Sequence, residues 1–204
     1  MVRLVAGDGP DIVALQEVPV WALGRLERWS GMAVTWAVTK RALLGPLARF
    51  LQELSPSRVR SGFTGQANAV LVSRRHAVAR ARSVVLARRG RGERRVCQLL
   101  DVDAEGRRIV VANLHLTTRR PEHAQRELDR VGVLVAGAGA AVVCGDTNLP
   151  GRGLDGFSLP LPGIDQILVR GLALERGPGA WPESRRRSDG RLLSDHPPIE
   201  AVIA

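Results

Sequence analysis

The sequence has no tyrosine, and aromatic residues account for only 3% of its 204 positions. Proteins that bind single strands by stacking expose aromatic rings, so this composition argues against a stacking surface. Cysteine is also scarce: Cys97 and Cys144 both lie in apolar runs, without the spacing of a Cys-x-x-Cys or Cys/His metal site. We expect both thiols to be buried in the core.

Long hydrophobic runs are also absent. No apolar run approaches the roughly 20 residues of a membrane-spanning helix, and the first residues hold no run long enough for a secretory signal. We therefore expect a cytoplasmic protein. The apolar content of 45% and the mean hydropathy of -0.03 are typical of a soluble globular protein. We expect a single domain over residues 1–204, because this length can bury a real core and no repeat or linker is visible.

Lysine is almost missing, because Lys40 is the only one and nearly all basic residues are arginines. The formal net charge is +10 and the isoelectric point is about 11.4. Such a balance favours a polyanionic partner. The abundance of Arg, Ala, Gly and Val is equally typical of GC-rich coding bias, so charge alone leaves both interpretations open.

A short apolar run over residues 141–144 predicts a buried strand, and polar residues follow it at once. Alternation along an extended chain places Asp146 and Asn148 on the same side. The C-terminal ends of strands are where α/β proteins usually carry their chemistry. A carboxylate beside an amide can orient a water molecule and hold a phosphate oxygen. A polar turn that caps the strand is the alternative.

Residues 11–18 predict another strand, and four consecutive apolar residues favour a buried strand of the parallel type. Glu17 lies at its end, so Glu17 and Asp146 could share a hard cation such as Mg²⁺. A strand-end glutamate that faces solvent is the alternative. Asn68 interrupts the strand predicted over residues 66–72, and it is either a satisfied buried amide or a residue that reaches a phosphate.

Hydrophobic periodicity predicts the remaining elements. In the first part of the chain, we expect a helix over residues 20–30, a strand over 32–39, a helix over 40–54 kinked at Pro46 and a loop over 55–65. Antiparallel strands over 76–86 and 94–103, a strand over 108–116 and a helix over 122–134 follow. The last part holds strands over 164–169 and 172–175, a loop over 177–190 and a closing strand to Ile203. If the strand over 108–116 runs parallel to the strand before Asp146, the helix between them forms a right-handed crossover.

Two histidines also lie near predicted strand ends. Asn113 and His115 share one face of the strand over 108–116, and its C-terminal position favours a functional role for His115. In the segment Ser194-Asp195-His196, neighbouring side chains point apart, so Asp195 is expected to face a metal or water while His196 faces the substrate. His196 then needs a separate carboxylate to orient it, and Asp165 is the available candidate.

Five short motifs occur in a fixed order along the chain: LQE over residues 15–17, NLHL over 113–116, GDTN over 145–148, IDQI over 164–167 and SDHPPI over 194–199. Together they resemble the endonuclease/exonuclease/phosphatase superfamily, which includes DNase I-like nucleases, abasic-site endonucleases, inositol polyphosphate phosphatases and sphingomyelinases. The resemblance covers about residues 10–204. It implies an α/β fold, a four-layer α-β-β-α sandwich in which two mostly antiparallel sheets pack face to face with helices outside.

The resemblance also implies roles for individual residues. Asp146 resembles the carboxylate that orients and deprotonates the attacking water, and Asn148 matches the amide that holds a phosphate oxygen. His115 and His196 resemble two histidines that contact the scissile phosphate, and Asp165 matches the carboxylate that supports the second of them.

Two further acids are implied as metal residues, Glu17 as the metal glutamate and Asp195 as the acid that helps hold water or metal. Mg²⁺ is the usual ion, and Mn²⁺ often replaces it. Asn68, Asn113 and Arg186 are the residues expected to bind substrate. Arg186 belongs to an arginine run that either rims the site or forms a solvated loop.

Such residues suit phosphodiester hydrolysis, because a metal, an imidazolium and amide donors can stabilise the developing negative charge while a carboxylate takes the water's proton. We expect a divalent-metal-dependent phosphodiesterase, a nuclease acting on nucleic acid as a monomer. The alternatives are a catalytically impaired, N-terminally shortened member that binds polyanions, and a phosphatase or phospholipid diesterase of the same superfamily.

One departure from the family pattern concerns the N-terminus. Family members begin with a central strand that ends in a metal-binding Asn, whereas residues 1–9 resemble the end of the helix that follows that strand. The sequence therefore predicts that this strand and its Asn are missing, either because the true start lies upstream or because the chain is a shortened form.

Overall fold

The structure is a computed structural model that describes residues 1–42, 65–188 and 190–204. The body of the helix predicted over residues 40–54 and nearly all of the loop predicted over 55–65 lie outside these residues. Lys40, the first residue of that predicted helix, instead ends a strand.

The described residues form twelve strands and three α-helices. The strands are β1 (Ile12–Pro19), β2 (Ala33–Lys40), β3 (Gln66–Val72), β4 (Ala77–Arg88), β5 (Arg94–Ala104), β6 (Arg107–His115), β7 (Ala141–Asp146), β8 (Asp165–Arg170), β9 (Leu174–Ala180), β10 (Arg187–Ser188), β11 (Arg191–Leu192) and β12 (Ile199–Ile203). The helices are α1 (Val2–Ala6), α2 (Leu26–Ser30) and α3 (Pro121–Val135), and 3-10 turns cover Val20–Arg25, Gly90–Gly92 and Glu183–Arg186.

The strands form two main sheets. One has three antiparallel strands in the order β1-β3-β2, and the other has five strands in the order β4-β5-β6-β7-β8. In the second sheet only β6 and β7 are parallel. Two smaller antiparallel pairs, β9 with β12 and β10 with β11, complete the strand pairing. The predicted pair of mostly antiparallel sheets is confirmed.

Three apolar clusters stack these sheets and helices into layers. The cluster between the sheets joins Val70 and Val72 of β3 to Leu100 and Val111 of the larger sheet. A second cluster packs α3 on the outer face of the five-stranded sheet, and a third packs α2 on the outer face of the three-stranded sheet. The order helix, sheet, sheet, helix confirms the four-layer sandwich.

The parallel direction predicted for the strand over residues 11–18 is wrong, because β1 pairs antiparallel with β3. The continuous apolar run has a different cause. Ile12 and Ala14 contact the cluster between the sheets, whereas Val13 and Leu15 contact the cluster beneath α2. A strand covered on both faces is apolar along its length whatever its direction.

The segment β6-α3-β7 connects two parallel strands, as predicted. Pro121 occupies the first turn of α3, where its missing N–H costs nothing. Ala124, Leu128 and Val131 are fully buried on one face of the helix and press it onto the sheet. This connection sets the C-terminal ends of β6 and β7 side by side.

The loop predicted over residues 177–190 is partly wrong. β9 continues to Ala180 and pairs with β12, and residues 187 and 188 form β10. The two glycines and the proline near the end of β9 conceal this strand, because they are depleted in strand interiors. No helix within the described residues is long and apolar enough to cross a membrane.

The prediction for the two cysteines is confirmed. Cys97 and Cys144 are free and buried, and burial raises the pKa of each thiol to about 12. Neither is a reactive thiolate.

Candidate active site

Strand register brings three predicted site residues together at one edge of the five-stranded sheet. His115 pairs with Asp146 across β6 and β7, and Asp146 pairs with Asp165 across β7 and β8. The Nε2 atom of His115 lies 3.6 Å from Oδ2 of Asp146. Three neighbouring strands therefore end in side chains that can act on one small volume.

Gly145 allows β7 to approach β6 closely. Its φ of 128° is a conformation that L side chains rarely adopt. A β-carbon there would lie 2.1 Å from the carbonyl oxygen of Leu114. Only glycine fits at this position, so the placement of Asp146 depends on a backbone conformation that other residues cannot adopt.

Glu17 reaches the same edge by a different backbone device. The register of β1 against β3 shifts between Leu15 and Val18, and Glu17 within this irregularity has a φ of 54°. Its Oε1 atom lies 4.0 Å from Nδ1 of His115. A bulge of this kind redirects a side chain that a regular strand would point elsewhere.

Asn113 ties this bulge to the larger sheet. Its Nδ2 donates hydrogen bonds to the carbonyl oxygens of Leu15 and Ala69, both at 3.1 Å, and its Oδ1 accepts one from Gln16 Nε2 at 2.7 Å. Asn113 is fully buried, so the prediction that it contacts substrate is wrong. It fixes the two residues that precede Glu17 instead.

Asn68, also predicted to bind substrate, lies between the sheets and is only 1% exposed. Its Nδ2 donates to the carbonyl oxygen of Val96 at 3.2 Å. Within the described residues its Oδ1 has no partner. A substrate in solvent cannot reach this amide, so the structure corrects the prediction and leaves Asn68 as a buried core amide.

Asn148 stands beside Asp146 in a tight turn with a φ of 52°. Its backbone N–H donates to Oδ1 of Asp146 at 2.9 Å, and its Nδ2 donates to the carbonyl oxygen of Leu116 at 3.1 Å. The side chain is partly exposed and keeps a second amide hydrogen. The turn thus orients the carboxylate and the amide with respect to each other.

His196 joins the site from the loop before β12. Its Nδ1 lies 3.0 Å from Oδ2 of Asp165, the partner that the sequence suggested. The loop is held by Arg186, whose Nη1 donates to the carbonyl oxygen of Ser194 at 3.1 Å. Arg186 therefore supports the loop that carries His196, and its contact with substrate stays a prediction.

Burial raises the pKa of Asp146 to about 6. The hydrogen bond from the Asn148 backbone N–H and the charge of His196 lower this pKa. The negative charges of Asp165 and Glu17 raise it further. A carboxyl group with this pKa is a stronger base than an ordinary aspartate and remains mostly ionised at neutral pH.

The pKa values of the two histidines shift in opposite directions. Burial, followed by the charges of Arg95 and His196, lowers the pKa of His115 to about 4, so its contact with Asp146 near neutrality is not an ion pair. Burial lowers the pKa of His196, but the charge and hydrogen bond of Asp165, together with the charges of Asp146 and Asp195, outweigh burial and raise this pKa. Near neutrality His115 is therefore a neutral imidazole, whereas His196 stays protonated to a higher pH than an ordinary histidine.

A divalent cation fits the donor set at this edge. Atoms of Asp146, Asp165 and His196 that can act as ligands all lie within 4.8 Å of one another. Because His196 and Asp165 bond to each other, we assign them to orientation rather than to the ion. The carboxylate of Glu17 is 57% exposed and can accept a cation from solvent. Asp195, also predicted to help hold water or metal, is exposed and lies outside the three-residue group.

Sequence reasoning missed Arg95 and Gln16. Arg95 is only 7% exposed, is paired with Glu93 at 3.1 Å and influences His115. It follows another arginine in a basic run, so nothing in the pattern separates it from a solvated residue. Gln16 does carry a signal, since it is a polar residue inside an apolar strand next to Glu17.

The layered fold and the acid–histidine edge agree with the family comparison. A model of the Endonuclease/Exonuclease/phosphatase family matches residues 1–196. The chain therefore belongs to this family. A search of curated proteins finds no match to the sequence.

Solved structures share this fold at low sequence identity. A functionally unknown conserved protein from Enterococcus faecalis V583 is 16% identical, with a TM-score of 0.74 over 100% of this chain and 88% of that one. A humanized D. rerio TDP2 is 15% identical, with a TM-score of 0.74 over 100% and 91%. The Bacteroides thetaiotaomicron VPI-5482 mannosyl-6-phosphatase is 14% identical, with a TM-score of 0.67 over 100% and 90%. These likenesses establish the fold.

Proposed function

We propose that the protein is a Mg²⁺-dependent phosphodiesterase that cleaves nucleic acid. The observation that carries the proposal is the convergence of five side chains from separate parts of the chain on one sheet edge. They are Glu17 of β1, His115 of β6, Asp146 of β7, Asp165 of β8 and His196 of the loop before β12.

Asp146 is the proposed base for the attacking water. A pKa of about 6 leaves it ionised at neutral pH yet basic enough to take a proton efficiently. The hydrogen bond from the Asn148 backbone N–H holds one carboxylate oxygen and leaves the other directed toward His115. Asp146 can therefore orient a water molecule while it accepts the water's proton.

Charged and uncharged hydrogen-bond donors stabilise the negative charge on the phosphoryl oxygens. His196, held by Asp165, supplies an imidazolium, and neutral His115 and the Asn148 amide supply uncharged hydrogen bonds. Mg²⁺ or Mn²⁺, when bound at Glu17 with help from Asp195, supplies Lewis-acid stabilisation of the same charge. No serine or cysteine nucleophile is needed.

Nucleic acid is the proposed substrate because the net charge of +10 attracts polyanions. The likeness to TDP2 and to a mannosyl-6-phosphatase supports phosphoester chemistry and leaves the choice of ester to experiment. A non-catalytic polyanion binder would share the charge, but it would have no use for the hydrogen-bonded pair of Asp165 and His196 beside Asp146.

The test is a substrate screen with the purified protein in Mg²⁺ and, separately, in Mn²⁺. DNA, RNA, phosphoinositides and sphingomyelin are compared, each with and without EDTA. We expect cleavage of DNA or RNA that stops in EDTA and returns when Mg²⁺ is restored. Unchanged cleavage in EDTA would refute metal dependence. Salt-sensitive binding without turnover would favour the non-catalytic alternative, and activity confined to a lipid or a phosphomonoester would favour the other branches of the family.

A further inference from the structure

A surface cavity of about 460 Å³ lies apart from the acid–histidine cluster, at the junction of the β4-β5 hairpin and the start of α3. None of the predicted site residues lines it. Its lining residues are Arg88, Arg89, Gly90, Glu93, Arg120 and His123.

Strand pairing places this cavity at the same sheet edge as the active site. β5 runs antiparallel to β6, with Cys97 opposite Leu114, so the start of β5 lies beside the end of β6 and therefore beside His115. Arg88 pairs with Arg94 at that same end of β4 and β5. Across the sheet, His115 on β6 lies two strand spacings from β4, or roughly 10 Å, and Asp146 on β7 lies three spacings away, or roughly 14 Å.

The cavity carries positive charge that its own carboxylate does not neutralise. Glu93 is the one acid in the lining, and it is paired with Arg95 at 3.1 Å. Within residues 1–42, 65–188 and 190–204, no carboxylate forms an ion pair with Arg88, Arg89 or Arg120. A guanidinium group can form bidentate hydrogen bonds with the oxygens of a phosphate, so the cavity suits a phosphate group.

The chain that connects the cavity to the active site is held rigidly. Thr117, two residues after His115, donates from its backbone N–H and its hydroxyl group to the carboxylate of Glu127 at 2.8 and 2.6 Å. Glu127 is only 5% exposed. These two hydrogen bonds hold the segment between His115 and Arg120. Because the segment is already ordered, binding a ligand in the cavity costs little conformational entropy.

We propose that the cavity binds a non-scissile phosphate of a nucleic-acid strand whose scissile phosphate lies at Asp146 and His196. The inference rests on the proposed function and adds a second subsite to it. A strand carries one charge per roughly 3.4 Å of helix axis, so a spacing of roughly 14 Å between the cavity and Asp146 corresponds to about four nucleotides. Recognition through phosphate alone is independent of sequence and consistent with the scarcity of aromatic residues.

The test compares Arg88→Ala/Arg120→Ala with the charge-preserving Arg88→Lys/Arg120→Lys. Arg80→Ala is the matched control, because Arg80 is an exposed residue near the other end of the same strand β4. Binding of a labelled single-stranded oligonucleotide is measured by fluorescence anisotropy in EDTA at several salt concentrations. We expect the double alanine variant to bind about tenfold more weakly and to lose about 1 from the slope of log affinity against log salt. The lysine variant keeps most of the affinity, and Arg80→Ala binds like the wild type.

A kinetic comparison separates this inference from the proposed function. With Mg²⁺, the double alanine variant should raise the KM for the oligonucleotide and leave hydrolysis of bis(4-nitrophenyl) phosphate, which has a single phosphate, unchanged. If the double alanine variant cleaves the oligonucleotide with an unaltered KM, the phosphate-binding role of the cavity is refuted and the proposed function stands. If binding depends on Arg88 and Arg120 but the wild type cleaves nothing, the proposed function is refuted and the phosphate-binding role of the cavity stands.

Two further outcomes also overturn the proposal. An equal loss of affinity in Arg80→Ala means that general surface charge, not the cavity, attracts the strand. Binding of inositol hexakisphosphate that requires Arg88 and Arg120, with no binding of the oligonucleotide, assigns the cavity to a phosphorylated headgroup instead.

Discussion

Glu17 and Asp146 both lie at the end of an apolar strand, and both direct a carboxylate to the same edge of the sandwich. Their backbones differ, because Glu17 occupies a bulge in β1, whereas Asp146 follows Gly145 in β7, which pairs with both neighbours without a register shift. Their surroundings differ more. The side chain of Glu17 is 57% exposed and that of Asp146 is 12% exposed.

Burial converts this difference into different chemistry. Removal from water disfavours the charged form of Asp146 and raises its pKa to about 6, which suits proton transfer. The exposed carboxylate of Glu17 is open to solvent, which suits capture of a hydrated cation. The two acids lie in similar sequence contexts, but their burial separates their roles: buried Asp146 suits a base and exposed Glu17 suits a metal ligand. The following experiments test this division of roles.

The largest effect is expected for Asp146→Asn. The substitution keeps the shape of the side chain but removes its ability to accept a proton, so phosphodiester hydrolysis should fall about 10²–10⁴-fold. Steady-state rates with a cleaved substrate measure the loss. Asp155→Asn, at an exposed position in a nearby loop, is the control and should retain its activity. An Asp146→Asn enzyme with near-normal rates would assign the base elsewhere.

Gly145→Ala tests how β7 presents its acid. The new β-carbon would collide with the Leu114 carbonyl oxygen and would force a side chain into a φ of 128°. We expect the free energy of unfolding to fall by about 3 kcal/mol or more. Gly137→Ala, where a β-carbon meets open space, should change it by about 0.5 kcal/mol at most. Urea denaturation of both variants provides the comparison, and equal stabilities would show that β6 and β7 separate easily.

Glu17→Gln tests the metal half of the comparison. Loss of the exposed negative charge should raise the Mg²⁺ concentration needed for half-maximal activity by about tenfold or more. Mn²⁺ binding, followed by electron paramagnetic resonance, gives a readout that does not depend on activity. Glu175→Gln, another exposed glutamate, is the matched control. If Mn²⁺ binds equally well to wild type and Glu17→Gln, the ion belongs to Asp146 or Asp195 instead.

The smallest effect is expected for Asp165→Asn. The Asp165 carboxylate raises the pKa of His196 through its charge and a hydrogen bond, so its loss should lower that pKa. In the metal-free protein, the imidazolium of His196 should then deprotonate at a lower pH than in the wild type. Histidine ring signals in an NMR titration report the change, with Asp155→Asn as the control variant. Identical titration curves would mean that Asp165 does not set the charge of His196.

Much of the fold could be predicted from apolar spacing alone. The strand predicted over residues 66–72 coincides with β3, because it is a short, mostly apolar run. The helix predicted over 122–134 lies within α3, because its apolar residues recur at helical spacing. The direction of β1 and the strand character of residues 177–180 could not be predicted. Both depend on which neighbour supplies the hydrogen bonds, and no local pattern records that choice.

The same limit applies to the candidate site. Asp165 and His196 were paired correctly because their chemistry requires a partner. Asn68 and Asn113 were misassigned because a polar residue in an apolar strand is compatible both with a buried hydrogen bond and with a ligand contact. Their burial follows from the packing of one sheet on the other, which residue spacing does not reveal.

By itself, the sequence determined where most of the strands lie along the chain, the family to which the chain belongs and the chemical types of side chain at the strand ends. These properties depend on residue identity and on local periodicity. Only the tertiary structure decided that Asp146 is buried while Glu17 is exposed, that Asn113 and Arg186 act as supports, and that arginines of β4 and of the segment before α3 line one cavity. Burial and charge neighbourhood arise from contacts between residues distant in the chain, so they exist only once the sheets have packed.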